Sequence, residues 1–313
     1  MTEFIHELKK TELHLHLEGS VEPETLVEID PALTREKVAE VYGYTDFPGF
    51  LQSYKWVNLR LTQPQHFALI TRRLLERLRA QNVAYAEINL SVGMWLWREL
   101  PFEPYFAAVA EEAARSPVRV RYILDAVRQF GVEPGWEVAR LAAANRARGV
   151  VGFGIGGDEA RGSALEFREV FAWAREQGLH LAPHGGETMG PLTVWEALEC
   201  GAERIGHGIG AIEDAALVAH LAQRRIPLEI CISSNLRTGA VASLRSHPLR
   251  RLYEAGVPVT LNTDDPAMFG TTLEREYEIA AEAFGFTEQE LSSVAANGFE
   301  FAFDEEARAL RDA

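Results

Sequence analysis

The sequence predicts an α/β fold, a (β/α)8 barrel of the TIM type, on three observations. Eight strand-like runs recur with amphipathic helical stretches between them, 313 residues suit such a barrel, and ionisable residues gather at the downstream ends of the runs. Strand followed by helix eight times implies parallel crossovers and closure. The competing architecture is an open doubly wound sheet, but no strand leads into a G-x-G-x-x-G turn, and VGFGIGGDE approaches one in composition only.

The first run is TELHLHLEGS, residues 11–20. Its period of two puts His14, His16 and Glu18 on one face and Leu13, Leu15 and Leu17 on the other. Three ionisable groups on one face need partners, which points to a cleft, a metal site or a hydrogen-bonded network. Residues 31–60 break the repeat with aromatics, glycine and proline, and are expected to form an inserted lid near the barrel mouth, with Phe47, Phe50, Tyr54 and Trp56 as its apolar face. A helical pattern over 64–82 leads into strands expected at 83–91 and 118–127, and a second over 133–149 leads into 150–157. The remaining strands are expected at 180–187, 203–208, 226–235 and 257–266, followed by extra C-terminal helices over 272–284, 287–299 and 304–312. Without an internal repeat or a linker, residues 1–313 read as one domain.

Composition narrows the function. At 47% hydrophobic and 25% charged the chain is globular, and a net charge of −15 disfavours a nucleic-acid polymer or an anionic membrane surface as partner. No apolar run reaches the length of a membrane span. The start lacks a basic, apolar leader pattern, so the expected compartment is cytoplasmic. Cys200 and Cys231 sit in apolar patterns and read as core. Oligomeric state is not set by these features.

The strand ends carry the chemistry. They hold His14, His16 and Glu18; Gly157 and Asp158; His184 and Glu187; His207; Ser233, Ser234 and Asn235; and Asp264 with Asp265. Three imidazoles and a carboxylate suit Zn2+, and a site that keeps a water is catalytic, because the ion lowers the pKa of water to about 7. Glu187, and His207 together with Asp265, are placed to supply the acid and the proton acceptor. His6, His66, His180, His220 and His247 read as structural or surface residues.

TELHLHLEGS, GIGGDE, HGGE, ERIGHG, SSN and LNTDDP, in that order over residues 11–266, resemble the adenosine deaminase family of the amidohydrolase superfamily. The resemblance implies a small-molecule purine substrate and one Zn2+ per chain, held by His14, His16, His184 and Asp264. It implies that Glu187 protonates ring N1, that His207 and Asp265 orient and deprotonate the attacking water, and that the Gly157 amide and Asp265 hold N3 and N7. The outcome is hydrolytic removal of the 6-amino group as ammonia. Absence of lysine from VVGFGIGG argues against the modified-lysine bridge of binuclear relatives.

Departures from the family pattern bear on substrate. HGGE stands where H-A-G-E is usual, and CISSN where C-P-x-S-N is usual. Glu18 replaces the aspartate with which adenosine-specific members meet the ribose 5′-hydroxyl, and is expected to bind substrate at that end. Members with H-L-H-L-E-G include enzymes acting on free adenine and on 6-amino-6-deoxyfutalosine, and Arg237 is a candidate partner for a substrate carboxylate. The expectation is a deaminase of adenosine, 2′-deoxyadenosine or aminodeoxyfutalosine. The alternatives are an adenine deaminase, a metal phosphoesterase, which the acidic strand ends disfavour, and a metal-bearing binding protein without turnover.

Overall fold

Every one of the eight runs contributes extended chain in the computed structural model, which describes residues 1–312. Ala313, the end of the expected domain, lies outside the described residues. The strand segments are β1 (Lys10–His16), β2 (Val83–Leu90), β3 (Arg119–Val127), β4 (Val150–Gly156), β5 (His180–Leu181), β6 (His184–Gly185), β7 (Ile205–His207), β8 (Leu228–Ile230) and β9 (Val259–Leu261). All ladders are parallel, in the orders β1-β2-β3-β4-β5 and β6-β7-β8-β9.

Hydrogen bonds cross both gaps between these two groups. The expected strand 180–187 is split into β5 and β6 where Pro183 has no N–H for the ladder. Ala182 N still donates to Phe153 O at 3.3 Å, and Gly206 N to Pro183 O at 3.0 Å. At the other seam His16 N donates to Asp264 O at 2.8 Å, and Asp264 N to His14 O at 3.0 Å. The chain is thus a parallel α/β barrel, and its closing seam runs through three of the residues singled out from sequence.

Burial on both faces explains the dense apolar strands. In β1, Leu15 packs in the main core and Leu13 against Tyr85 and Ala302. The alternate residues point into the barrel: Glu12 accepts from Thr263 N at 2.8 Å, and His14 meets Glu229. Glu18 does not continue the strand; it begins a short 3-10 turn, Glu18–Ser20. Only Leu228–Ile230 of the expected strand 226–235 is extended, because Ile232–Arg237 is helical. Ser and Asn disfavour a strand, and the helix carries Ser234 and Asn235 to the barrel mouth.

The insertion is helical, with Arg35–Val41 followed by Phe47–Asn58. The second helix starts at Asp46, whose carboxylate accepts from Gly49 N at 2.8 Å, with Pro48 in the first turn. Phe47, Phe50 and Tyr54 face the cavity at the mouth, whereas Trp56 turns away and stacks under Arg60, 3.4 Å from its ring centre. The C-terminal helices Leu273–Phe284, Glu288–Glu300 and Ala307–Asp312 follow β9, and Glu288–Glu300 packs on β1 and β9. Among the described residues no helix is long and apolar enough to cross a membrane.

Candidate active site

Three histidine side chains aim one nitrogen each at a common point. His16 Nε2 lies 3.2 Å from His184 Nε2, while Asp264 Oδ1 lies 3.4 Å from His16 Nε2 and 3.5 Å from His14 Nε2. Four ligands about 2.0–2.1 Å from a tetrahedral ion stand about 3.3 Å apart, so these spacings match the edges of a zinc-sized tetrahedron. His14 Nε2 is buried without a hydrogen-bond partner. The donor set of His14, His16, His184 and Asp264, the set that the family resemblance implies, therefore fits a divalent cation. A second grouping, His207 with Cys231 and Asp264, shares the same aspartate, but burial pushes the Cys231 thiol well up and disfavours thiolate.

Partners behind the imidazoles set their orientation. His14 Nδ1 meets Glu229 Oε2 at 2.8 Å, and His184 Nδ1 meets Ile155 O at 3.0 Å, so in each ring Nε2 is left for the ion. Arg204 holds Glu229 from the other side at 2.6 Å and is itself gripped by Glu87 at the barrel floor. Ser234 Oγ donates to Asp264 Oδ2 at 2.7 Å. Asp264 and His207 both have φ of 62°, a left-handed conformation rare outside glycine, held where the chain turns at the strand ends.

Electrostatics differ sharply over a few ångströms. Burial lowers His16 to about 4 and His207 to about 3, and drives His184 well below the ordinary histidine range. Burial also acts to lower His14, but the Asp264 and Glu229 carboxylates outweigh it and lift that ring to about 10. A proton on His14 occupies the position that a cation would take. Glu187 is held well above the usual carboxylate range by burial and then by the Asp264 and Glu159 charges, which suits a proton donor. Asp264 is pulled well down by the surrounding histidines despite its burial, whereas Asp265 is pushed well up by burial and by Asp264. A bound cation works against the rise at Asp265.

A cavity of about 530 Å3 opens above this group. Glu187, His207, Asp265 and Gly157 all line it, together with His16, His184 and Asp264. His207 Nε2 stands 3.7 Å from Glu187 Oε2 and 3.8 Å from Asp264 Oδ2. Glu159 fixes the Glu187 loop by accepting from the backbone N–H groups of Glu187, Thr188 and Met189 at 3.1, 3.0 and 2.9 Å. Gly19 is required by Asp265, since a Cβ at 19 would fall 1.6 Å from Asp265 Oδ1.

Glu18 occupies a different place from the rest. It is fully buried behind the cavity wall, accepting from Trp95 Nε1 at 2.8 Å, Ser91 N at 3.2 Å and Tyr54 Oη at 3.4 Å, and burial raises it to about 7. The groups it holds, Tyr54 and Ser91, line the cavity and meet at 2.6 Å. Arg237 lies apart from the cavity lining as well; it donates to Tyr42 O at 2.7 Å and sits over the Tyr44 ring. Lys55 and Arg161 are the lining cations.

Sequence reasoning missed Asp125, Glu229, Arg204 and the buried His247. Asp125 and Glu229 each interrupt an apolar strand run, VRVRYILDAV and IPLEICISSN, which is the signal that singled out His14 and His16. Asp125 is buried in the cavity wall, neither carboxylate oxygen has a hydrogen-bond partner, and Oδ2 lies 3.8 Å from His16 Nδ1.

A family model described as adenosine deaminase matches residues 9–313. An aminodeoxyfutalosine deaminase of Streptomyces coelicolor is 40% identical over 96% of this chain and 81% of the relative. Among solved structures, an adenine deaminase from Arthrobacter aurescens superposes with a TM-score of 0.91 at 30% identity, covering 97% of each chain. An amidohydrolase from Burkhoderia ambifaria with bound Zn gives a TM-score of 0.92 at 27% identity, covering 100% of this chain and 91% of that one.

Proposed function

The chain belongs to the adenosine deaminase family and is a hydrolase of adenine-type substrates; from that premise we propose that it removes the 6-amino group of an adenine nucleoside, aminodeoxyfutalosine before adenosine or 2′-deoxyadenosine. The observation that carries the reading is the convergence of His14, His16, His184 and Asp264 beneath a cavity lined by Glu187, His207 and Asp265. We take residues 1–313 as one catalytic domain, which the span of the family match supports.

Zinc is the proposed ion, supported by the ligand spacings and by a relative with bound Zn; when bound, it supplies Lewis acidity that makes water a nucleophile near neutral pH. Glu187, protonated through its burial, gives its proton to ring N1, which makes C6 electrophilic. His207 and Asp265 flank the attacking water and hold it towards C6, and one of its protons passes to this pair. The Gly157 amide donates to one ring nitrogen, and Asp265 donates to another once it carries the water proton. The C6–O bond forms, the C6–N bond breaks, nitrogen leaves as ammonia carrying the proton taken from water, and the proton left on the C6 hydroxyl returns to Glu187, giving the 6-oxo product. Glu18 acts on substrate through Tyr54 and Ser91.

Aminodeoxyfutalosine is favoured by the aminodeoxyfutalosine deaminase relative and by the cavity. Beyond the ligand group the cavity runs to Phe47, Trp97 and Phe130, with Lys55 and Arg161 in its lining, more room and more positive charge than a bare base uses. Adenine remains the second reading because the Arthrobacter neighbour is an adenine deaminase. Zinc-loaded protein incubated with aminodeoxyfutalosine, adenosine, 2′-deoxyadenosine and adenine, followed by ultraviolet change and ammonia release, tests both. Preference for aminodeoxyfutalosine that Lys55→Ala weakens supports the reading; turnover of adenine alone selects the second; turnover of none refutes both.

A further inference from the structure

Behind His207 runs a chain of polar groups whose hydrogen bonds have only one consistent direction. It starts at a backbone amide. Leu249 N donates to His247 Nδ1 at 3.2 Å, and a main-chain N–H can only donate. His247 Nδ1 is therefore bare, and the proton of this buried ring resides on Nε2. His247 Nε2 lies 3.2 Å from Asn235 Oδ1, so it donates to that oxygen. The opposite amide orientation would set an NH2 group against an N–H, donor against donor. With its oxygen committed to His247, Asn235 turns its NH2 to His207 Nδ1, at 3.1 Å.

We infer that His247, acting through Asn235, is a positioning residue that locks His207 as the tautomer with its proton on Nε2. That proton points into the cavity, towards Glu187 Oε2 and Asp264 Oδ2 at 3.7 and 3.8 Å. The inference rests on the proposed deamination and sharpens it. A neutral His207 whose Nδ1 is already occupied has no lone pair left on the cavity side, so it serves the attacking oxygen as a hydrogen-bond donor. Asp265 is then the member of the pair that takes the water proton, and its Oδ1 is buried with no hydrogen-bond partner. The lowering of His247 by burial, to about 4, agrees with a neutral imidazole there.

The segments involved fit this role. Asn235 sits on the helix Ile232–Arg237, whose preceding residue Ser234 orients Asp264, so one short helix serves both the cation group and His207. His247 is 4% exposed and packs on Phe284, with a ring separation of 5.6 Å, which keeps water from replacing its hydrogen bond. Pro248 follows it and Leu249 opens the helix Leu249–Glu254, so the donating N–H is a helix-start amide free of intrahelical duty.

Nitrogen-15 NMR of histidine-labelled, zinc-loaded protein at neutral pH reads the tautomers directly, without substrate. Both His207 and His247 are expected as Nε2–H forms; a His207 carrying its proton on Nδ1 overturns the inference whatever the substrate proves to be. His247→Phe fills the volume but removes the donor. It is expected to lower kcat about 10- to 100-fold with little change in KM, and to shift the His207 Nδ1 resonance. Restoration of kcat by His247→Gln, which keeps an N–H in reach of Asn235, supports the role. Asn235→Asp, which can only accept, is expected to pull the His207 proton to Nδ1. A folded His247→Phe protein with unchanged His207 resonances and kcat overturns the inference; if that variant does not fold, the wild-type tautomer still decides. Failure of every substrate with the predicted tautomers in place refutes the deaminase reading and leaves the relay standing.

Discussion

Glu229 Oε2 takes the Nδ1 side of His14 at 2.8 Å while Glu229 Oε1 takes Arg204 at 2.6 Å, so a single buried carboxylate joins the candidate cation group to the floor of the barrel. Both acids that hold Arg204 are buried, and Arg204 also donates to Phe301 O at 2.9 Å and lies over the Phe303 ring. The C-terminal segment thus braces a side chain three contacts away from the proposed ion.

Glu229→Gln keeps the shape but weakens the acceptor for His14 and half-uncovers the charge of Arg204. Zinc affinity, measured by chelator competition, is expected to fall about 10- to 100-fold. Removing the group altogether in Glu229→Ala leaves Arg204 short of a buried partner and is expected to cost about 3–5 kcal/mol of stability by denaturant titration.

Asp125 faces the Nδ1 side of His16 as Glu229 faces that of His14, but beyond hydrogen-bond distance. Its Oδ2 lies 3.8 Å from His16 Nδ1, and the glycine at 154 makes room for it, since a Cβ there would come 2.2 Å from Asp125 Oδ1. Asp125→Asn and Gly154→Ala are both expected to weaken zinc binding, by less than Glu229→Gln does. Unchanged zinc affinity in both, with a raised KM, would assign Asp125 to the substrate instead.

Glu187→Gln removes the proton for ring N1 without altering the size of the cavity. The expected loss in kcat is about 10²- to 10⁴-fold, with the metal content of the purified protein unchanged. Loss of metal along with activity would place Glu187 among the ligands.

Burial lowers His247 to about 4 from an ordinary value near 6.5 in the unfolded chain. Between those values the unfolded chain binds the extra proton, so the contribution of this ring is fully present above about pH 6.5 and is lost as pH falls towards 4. In the metal-free protein His247→Gln is expected to reduce the acid-side slope of stability by up to one proton, about 1.4 kcal/mol per pH unit, between pH 6.5 and 4.

Much of this was legible from the chain because the barrel repeats a simple unit. Strand, helix and strand end recur, and ionisable residues inside apolar runs mark where strands point inward. His14, His16, His184 and Asp264 stand among the polar strand ends that this rule marks, and the family resemblance singles them out as the ligand set. Asp125 and Glu229 obey it too, but a lone acid in a run such as IPLEICI lacks the company that makes HLHLE conspicuous. Glu18 kept period with the histidines in sequence, yet the strand ends at His16, and the turn carries Glu18 behind the wall to Tyr54, Ser91 and Trp95. His247 carried no local signal, since its partners are 12 residues back in Asn235 and two residues ahead in the amide of Leu249.

Metal content per chain tests the central claim most directly. Purified protein equilibrated with zinc and freed of excess ion should retain one zinc per chain by elemental analysis, and the same protein carrying His184→Ala should retain almost none while keeping its far-ultraviolet circular dichroism. Two zinc ions per chain, or a full complement in the folded His184→Ala protein, would contradict a single ion held by His14, His16, His184 and Asp264.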